Sequence, residues 1–319
     1  MSSFVNLVRN ENMKIYRRPR TWAMVGILIL VVALMSGIVK WDEIRSVQST
    51  DWKQNIAQQN EQIRQHLETE GASLSPDAKQ KAEHELKLNE YYLEHNRNPE
   101  QSTPWDVVNN SAMLLVLVTL LTVIVAADMI AAEFSWGTVK LLLIGPASRS
   151  KVMLSKYTAT LGFALFLLVV CFLSAFGLGV LFYGTEGLVQ PYVTIAADGR
   201  IQEGSMLLHL LQSYGFKVVE LIMYVTFAFM VSAAFRSSSM AIAFSLMFMM
   251  LGHPIVQILS RYEWVKYLLF ANVDLSQYVS GTPLRPDMTM LFSIGILLAY
   301  YAVFHFIAWL LFTKRDVAG

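Results

Sequence analysis

Six long apolar runs alternate with polar segments along this chain. A helix needs roughly 20 apolar residues to cross about 30 Å of hydrocarbon, and each run is about that long or longer. The pattern predicts an all-α polytopic membrane protein with transmembrane helices over 21–39, 105–131, 152–183, 216–235, 240–259 and 288–312. The fifth run contains Gly252, His253 and Pro254. Because proline removes a helical hydrogen bond, we expect this span to kink or break there.

Lysine and arginine are distributed unequally between the segments that join these runs. The first, third, fifth and last segments hold twelve of them when Lys156, just inside the third span, is included. The two short segments on the opposite side hold five when Lys217, just inside the fourth span, is included. Cytoplasmic segments are enriched in these residues, so both termini are predicted to lie inside. The inner segments are then 1–20, 132–151, 236–239 and 313–319, and the outer segments are 40–104, 184–215 and 260–287. Within 260–287, the apolar stretches Trp264–Ala271 and Val273–Val279 indicate short interfacial or re-entrant helices.

The first outer segment is long, polar and rich in helix-forming residues. Ser75, Pro76 and Asp77 are typical of a helix start, with a capping serine, proline at the first position and an acid in the first turn. Gly71 is typical of a residue that ends a preceding helix. The segment therefore predicts an extracellular helical hairpin insertion, with helices over about 44–70 and 77–96. Its expected apolar face is formed by Ile56, Ile63 and Leu67, opposite Ala78, Ala82, Leu86 and Leu93.

Composition supports a membrane location and excludes several functional classes. Hydrophobic residues make up 55% of the 319 positions, charged residues 15%, and the mean hydropathy is +0.44. The net charge of +1 gives no indication of nucleic-acid binding. Cys171 is the one cysteine, so no internal disulfide forms. No cleavable signal peptide is evident, and the first apolar run is expected to remain as an anchor.

Catalytic and metal-binding motifs are missing from the sequence. No phosphate-binding loop of the G-x-x-x-x-G-K-[ST] type occurs, so the chain is not expected to hydrolyse ATP itself. His84 and Glu85 begin a zinc-protease motif, but Leu88 stands where the second histidine is required. No cysteine pair or histidine cluster has metal-ligand spacing. We therefore predict no catalytic residues and no metal site.

The segment after the second run carries the most specific pattern. Glu133 is followed by Gly137 and Thr138, then by Lys140, an apolar stretch and Pro146, and finally by Arg149 and Lys156. This pattern resembles the cytoplasmic connection of ABC-2 type transporter permeases, the membrane subunits of a class of bacterial ABC exporters. The N-terminal segment, with Leu7, Glu11, Lys14, Arg17, Arg18 and Arg20, resembles that family's amphipathic interface helix, and the end, with Phe312, Lys314, Arg315 and Asp316, is also similar. The resemblance covers most of the chain except roughly 42–104.

The resemblance implies a mechanism and a set of partners. Two copies of an ABC ATPase subunit would bind ATP and magnesium. This chain would pair with a second permease copy, which could be identical or different, and the complex would lie in a bacterial plasma membrane. The ATPase would contact a coupling element containing Glu133, Gly137, Thr138, Lys140, Pro146 and Arg149, and an interface helix containing Glu11, Lys14, Arg17 and Arg18. The implied cargo is amphiphilic, such as an antimicrobial peptide, a lipid-linked molecule or a drug, and export of such a peptide would confer resistance to it.

Four polar residues in the predicted spans are candidates for a translocation path. They are Glu220, His253, Asn109 and Asn110, because polar groups inside a membrane are often functional. Each has a structural alternative. Glu220 could pair with Lys217 one turn away, His253 could pack or interrupt its helix, and the two asparagines could be solvated at the interface.

Two other functional classes fit the same sequence. An ion-coupled secondary transporter requires acids and broken helices near the middle of the membrane, and the deep parts of these spans hold almost no acids. A membrane sensor or scaffold would use the outer hairpin for recognition. Dependence of transport on ATP and co-purification of an ATPase distinguish the three classes.

Overall fold

A computed structural model describes residues 3–46, 51–70, 75–99, 101–138, 147–195, 199–279 and 283–314. Within these ranges the α-helices are α1 (Phe4–Tyr16), α2 (Pro19–Ser46), α3 (Trp52–Glu70), α4 (Pro76–Glu94), α5 (Pro104–Ser111), α6 (Leu115–Ser135), α7 (Arg149–Tyr183), α8 (Met206–Ala234), α9 (Ser238–Leu259), α10 (Leu269–Asn272) and α11 (Met290–Lys314). Short 3₁₀ helices cover Ala112–Leu114, Glu186–Val189, Glu263–Tyr267 and Leu275–Tyr278, and two strands are β1 (Tyr192–Ile195) and β2 (Ile201–Gly204). The predicted α-helical class is therefore confirmed, with one small β-ribbon added.

Six of the described helical segments are long and apolar enough to cross a membrane. They are Pro19–Arg45, Pro104–Ser135, Arg149–Tyr183, Met206–Ala234, Ser238–Leu259 and Met290–Lys314. Each contains most of one predicted run, in the same order. Several extend past the predicted ends, because polar residues that flank a span can continue the helix beyond the hydrocarbon. The fourth, for example, begins at Met206 rather than at Phe216.

The chain divides into two compact units. The first comprises residues 1–31, 112–173 and 213–319, and the second comprises 32–111 and 174–212. Helices α2, α7 and α8 each contribute residues to both units. The pair of Lys217 and Glu220 and the described coupling residues fall in the first unit, and the hairpin falls in the second.

Helix α1 buries one face and exposes the other. Glu11 and Ile15 are buried, whereas Val5 is 69% exposed. A short bend at Arg17 and Arg18 separates α1 from α2. Across it the Thr21 hydroxyl donates to the Ile15 carbonyl at 2.6 Å and so fixes the angle between the helices.

The hairpin of α3 and α4 has a polar interface. Ser75 caps α4 as predicted, because its hydroxyl accepts from the backbone N–H of Ala78. Ile56 is buried, while Ile63 and Leu67 are only half-buried. The centre of the interface is instead a buried hydrogen bond of 2.9 Å from the Asn89 amide to the Asn60 amide oxygen. The hairpin begins at Trp52 rather than near residue 44, because α2 continues to Ser46.

An antiparallel ribbon in segment 184–215 was not predicted. β1 pairs with β2 in a register that places Tyr192 opposite Gly204. Gly199, in the connection, has φ +77°, a conformation that glycine adopts without strain. The ribbon is joined to α4, because Lys87 donates to the Gly199 carbonyl and the Tyr91 hydroxyl donates to Glu203.

The fifth span was expected to kink or break at Pro254, and the break does not occur. Helix α9 runs from Ser238 to Leu259 without interruption past Pro254. Gly252 serves packing instead: a Cβ at this position would lie 2.1 Å from the ring of Phe270, in the segment after α9. That segment folds into short helices, as predicted, around a core of Val256, Val265, Ala271 and Met288.

Replacing Gly252 with alanine is expected to destabilise the protein by about 1–3 kcal/mol, the usual cost of overpacking. A ring carbon within 2.1 Å of the new methyl group forces Phe270 or the helix to move. Thermal unfolding in detergent micelles measures the change. Gly295→Ala is the matched control, because nothing lies within 4 Å of a Cβ there and alanine favours a helix. Equal stability of the two variants would contradict this account.

Candidate functional site

Four charged side chains in the first unit form a closed ion-pair network, which consists of Glu11, Lys14, Glu133 and Lys156. The Lys156 ammonium lies 2.9 Å from a carboxylate oxygen of Glu11 and 2.9 Å from one of Glu133. The Lys14 ammonium lies 3.0 Å from Glu11 and 3.1 Å from Glu133. Each charge therefore contacts two opposite charges, and the network as a whole is neutral.

The four residues of the network come from three helices, and they lie towards the helix ends. Glu11 and Lys14 are one turn apart on α1, so they face the same direction. Glu133 lies in the last turn of α6, and Lys156 lies in the second turn of α7. The network therefore fastens α1 to the ends of two predicted spans.

Burial makes this network energetically important. The side chain of Lys156 is 1% exposed and that of Glu11 is 7% exposed. Isolated charges at such positions would be very costly, and they are tolerated only when they are paired and hydrogen-bonded. Lys14 lies at the open edge of the network. Burial alone lowers the pKa of Lys14, but the charges and hydrogen bonds of Glu11 and Glu133 outweigh it and raise the pKa above its ordinary value.

Thr138 extends the network to the segment that follows α6. Its hydroxyl donates to the carboxylate of Glu133. Gly137 has φ +70°, so the chain turns sharply after α6 and brings Thr138 back to Glu133. The predicted pair of Gly137 and Thr138 thus has a defined structural role in turning the chain and bonding to Glu133. Lys140 and Pro146, also predicted in the coupling element, lie outside the described residues.

A second charged cluster surrounds Asp128, whose side chain is 4% exposed. Arg18 donates to this carboxylate at 2.8 Å, and Arg20 and the Ser238 hydroxyl also donate to it. The guanidinium of Arg18 also stacks 4.7 Å above the ring of Trp136. Asp128 therefore ties the start of α2 and the start of α9 to α6.

The remaining predicted interface residues have different surroundings. Arg149 donates to the Thr313 carbonyl at 2.8 Å, so the start of α7 lies at the end of α11. Trp309 strengthens this contact by donating to Ser150. Arg17 is exposed. The ends of α1, α6 and α11 and the start of α7 thus meet at one end of the first unit.

The four candidate path residues are divided between the two units, with Glu220 and His253 in the first. Glu220 forms the predicted pair with Lys217 at 2.9 Å, and Lys217 also lies 3.8 Å from Asp274. His253 is exposed and contacts Gln257 on its own helix. Asn109 is exposed and Asn110 is half-buried, and both belong to the second unit. No hydrogen bond between the described side chains links Glu220 to His253.

A polar cluster deep in the first unit was not predicted from the sequence. The Tyr157 hydroxyl lies 2.8 Å from that of Thr226, and the Tyr157 ring packs edge-on against His305 at 4.6 Å. Tyr301, one turn before His305, also lines an apolar cavity of about 460 Å³. The signal that could have found the cluster is a histidine near the middle of the last span, because ionisable residues there are often functional. Asp128 and Ser238 were missed as a pair, because 110 residues separate them.

These features define the class: the protein is a multi-pass α-helical membrane protein. The chain belongs to the family described as "Protein of unknown function (DUF2705)", whose model matches residues 80–318. It is 39% identical over 318 residues to "Uncharacterized protein YhcI" of Bacillus subtilis (strain 168), an alignment that covers 99% of this chain and 100% of the relative. It is also 34% identical over 207 residues to "Uncharacterized membrane protein YdbK" of the same organism, covering 64% of this chain and 79% of the relative.

Proposed function

We propose that this chain is the permease subunit of an ATP-driven exporter of the ABC-2 type. The observation that carries the proposal is the ion-pair network. It joins Glu11, Glu133 and Lys156, which come from three separate segments, and all three segments belong to the resemblance to ABC-2 permeases. The six apolar helices fit the same class.

In this mechanism an ATPase partner binds to α1 and to the segment that begins at Glu133. Because Lys156 bonds to both Glu11 and Glu133, a displacement of either element would also pull on α7. The network would thus convert a movement at the partner's surface into a movement of two membrane helices. ATP and magnesium would bind in the partner, since this chain has no phosphate-binding loop.

The assembly we propose contains two ATPase subunits and two permease copies in a bacterial plasma membrane, surrounded by lipid. The unequal distribution of lysine and arginine supports placing the network and both termini on the cytoplasmic side. That is the side on which ATP is available to the partner. The cargo would be amphiphilic and would move outward, and an antimicrobial peptide, a lipid-linked molecule and a drug all belong to this chemical class.

Co-purification tests the partnership directly. The tagged chain, extracted from its native membrane in mild detergent, is expected to bring with it a protein that contains a phosphate-binding loop, together with ATPase activity. An unrelated tagged six-span protein serves as the control. The proposal fails if the purified chain has no such partner and an ion gradient alone drives its transport, which is the behaviour of a secondary transporter.

A further inference from the structure

A second cavity, of about 280 Å³, lies wholly within the second unit. Its walls come from the end of α4, the start of α5, the 3₁₀ helix Glu186–Val189, β1 and the start of α8. Four aromatic side chains line it: Tyr92, Trp105, Tyr192 and His209. The cavity is slightly smaller than the range of about 300–1,000 Å³ of drug-sized pockets, so it suits a ligand of one ring.

Contacts between its walls hold the cavity in shape. The Trp105 indole donates to the Leu188 carbonyl at 3.1 Å, and Tyr192 stacks on His209 with ring centres 3.8 Å apart. Gly187 lies so close to Thr103 that a Cβ would approach it within 2.7 Å. Such a cavity is preformed, so little free energy would be lost in ordering its walls when a ligand binds.

The charged residues that line the cavity already have partners. Asp106 accepts from the backbone N–H of Thr103 at 2.6 Å and from its hydroxyl at 2.7 Å. Arg97 donates to the Tyr91 hydroxyl at 2.7 Å and lies 3.9 Å from Glu203. Both charges are therefore largely satisfied within the protein, and the cavity favours a neutral ligand.

Three side-chain amides in the cavity wall stay available for a ligand. Gln101, Asn109 and Gln190 line it, and their amides form no hydrogen bond with any other described residue. Each amide offers both a donor and an acceptor. A side-chain amide that donates and accepts hydrogen bonds in one plane can bind two adjacent hydroxyl groups. An aromatic ring packs well against a flat surface of C–H groups.

From this combination we propose that the cavity binds a single neutral sugar ring, such as a hexose or an N-acetylhexosamine. Aromatic rings would cover its apolar face, and the three amides would bind its hydroxyl or acetamido groups. A peptide fits less well. It would pair its backbone with the edge of the β-ribbon, whereas the available groups here are side-chain amides.

Sugar binding in this cavity does not depend on the exporter proposal, because it needs no ATPase. It assigns a role to Asn109, which the structure places in this cavity wall. The unequal lysine and arginine distribution predicts that this segment faces the outside. A sugar exposed at the outer membrane surface could therefore reach the cavity.

Saturation-transfer difference NMR on the full chain in lipid nanodiscs tests the proposal. The probes are N-acetylglucosamine and glucose, and detergents with sugar headgroups are removed first because they would compete. Wild-type protein is expected to bind at least one probe saturably. Asn109→Ala and Gln190→Ala should each weaken binding at least about fivefold, the effect of one lost hydrogen bond.

The matched control is Gln202→Ala, which removes an exposed amide on β2 outside the cavity and should leave binding unchanged. Absence of saturable binding to the wild-type protein would overturn the proposal, as would binding that neither cavity variant weakens. Binding of triglycine in place of both sugars would assign the cavity to peptides instead. Thermal unfolding confirms that each variant is folded before its binding is compared.

Discussion

Replacing Lys156 with methionine is expected to destabilise the protein by about 3–5 kcal/mol, the cost of removing one partner from a buried ion pair. The Lys156 side chain is 1% exposed and contacts both Glu11 and Glu133 at 2.9 Å. Without it, two buried carboxylates share the single charge of Lys14. Equilibrium unfolding in mixed detergent micelles, followed by circular dichroism, measures the loss.

Lys151→Met is the matched control, because Lys151 is exposed in the first turn of the same helix. Its replacement should change stability by less than about 0.5 kcal/mol. Combining Lys156→Met with Glu133→Gln leaves one acid and one base in the network. The double variant should therefore be more stable than the sum of the two single losses predicts, by about 0.5–3 kcal/mol. If the two lysine variants were equally stable, the network would not hold these helices together.

If the chain works as the proposed permease, replacing Thr138 with valine is expected to reduce ATP-dependent transport about tenfold or more, while ATP hydrolysis by the complex continues. Valine keeps the shape of threonine but removes the hydroxyl that donates to Glu133. A hydrogen bond to a charged group contributes roughly 1.5–3 kcal/mol, and each 1.4 kcal/mol is a factor of ten. Without this hydrogen bond, a movement of the segment after α6 would no longer be transmitted to Glu133 and the ion-pair network. Proteoliposomes containing the chain, its ATPase and an amphiphile that stimulates ATP hydrolysis provide the assay.

This test separates coupling from stability. Thr138 lies at the edge of the network, so its loss leaves the buried charges paired. Thr158→Val is the control, because that hydroxyl bonds, among the residues the structure describes, only to the Leu154 carbonyl within α7. Wild-type transport by Thr138→Val would show that the segment beginning at Glu133 does not couple ATP hydrolysis to transport, even if an ATPase co-purifies.

Local signals predicted much of the fold. The apolar runs are long enough to specify membrane helices regardless of what surrounds them. Caps are equally local, which is why Ser75 starts α4. The pair of Lys217 and Glu220 was also predictable, because residues three apart on a helix are neighbours.

Other expectations failed where packing outweighed a local preference. Pro254 favours a kink or a break, and the break is absent because α9 continues past it. Gly252, which suggested the same break, is small because Phe270 packs against it. The ribbon of β1 and β2 has only four residues in each strand, too few for a clear alternating pattern.

The sequence by itself determined the class of protein, the number and order of its apolar helices, and the residues that resemble a transporter permease. Only the tertiary structure decided which charges meet. Glu11 and Lys156 are 145 positions apart, and no periodicity relates them. The tertiary structure also brought Gln101, Asn109 and Gln190 together in the wall of one cavity. The physical reason is that helix formation depends on neighbours in sequence and on the solvent, whereas the pairing of buried polar groups depends on which helix ends come together.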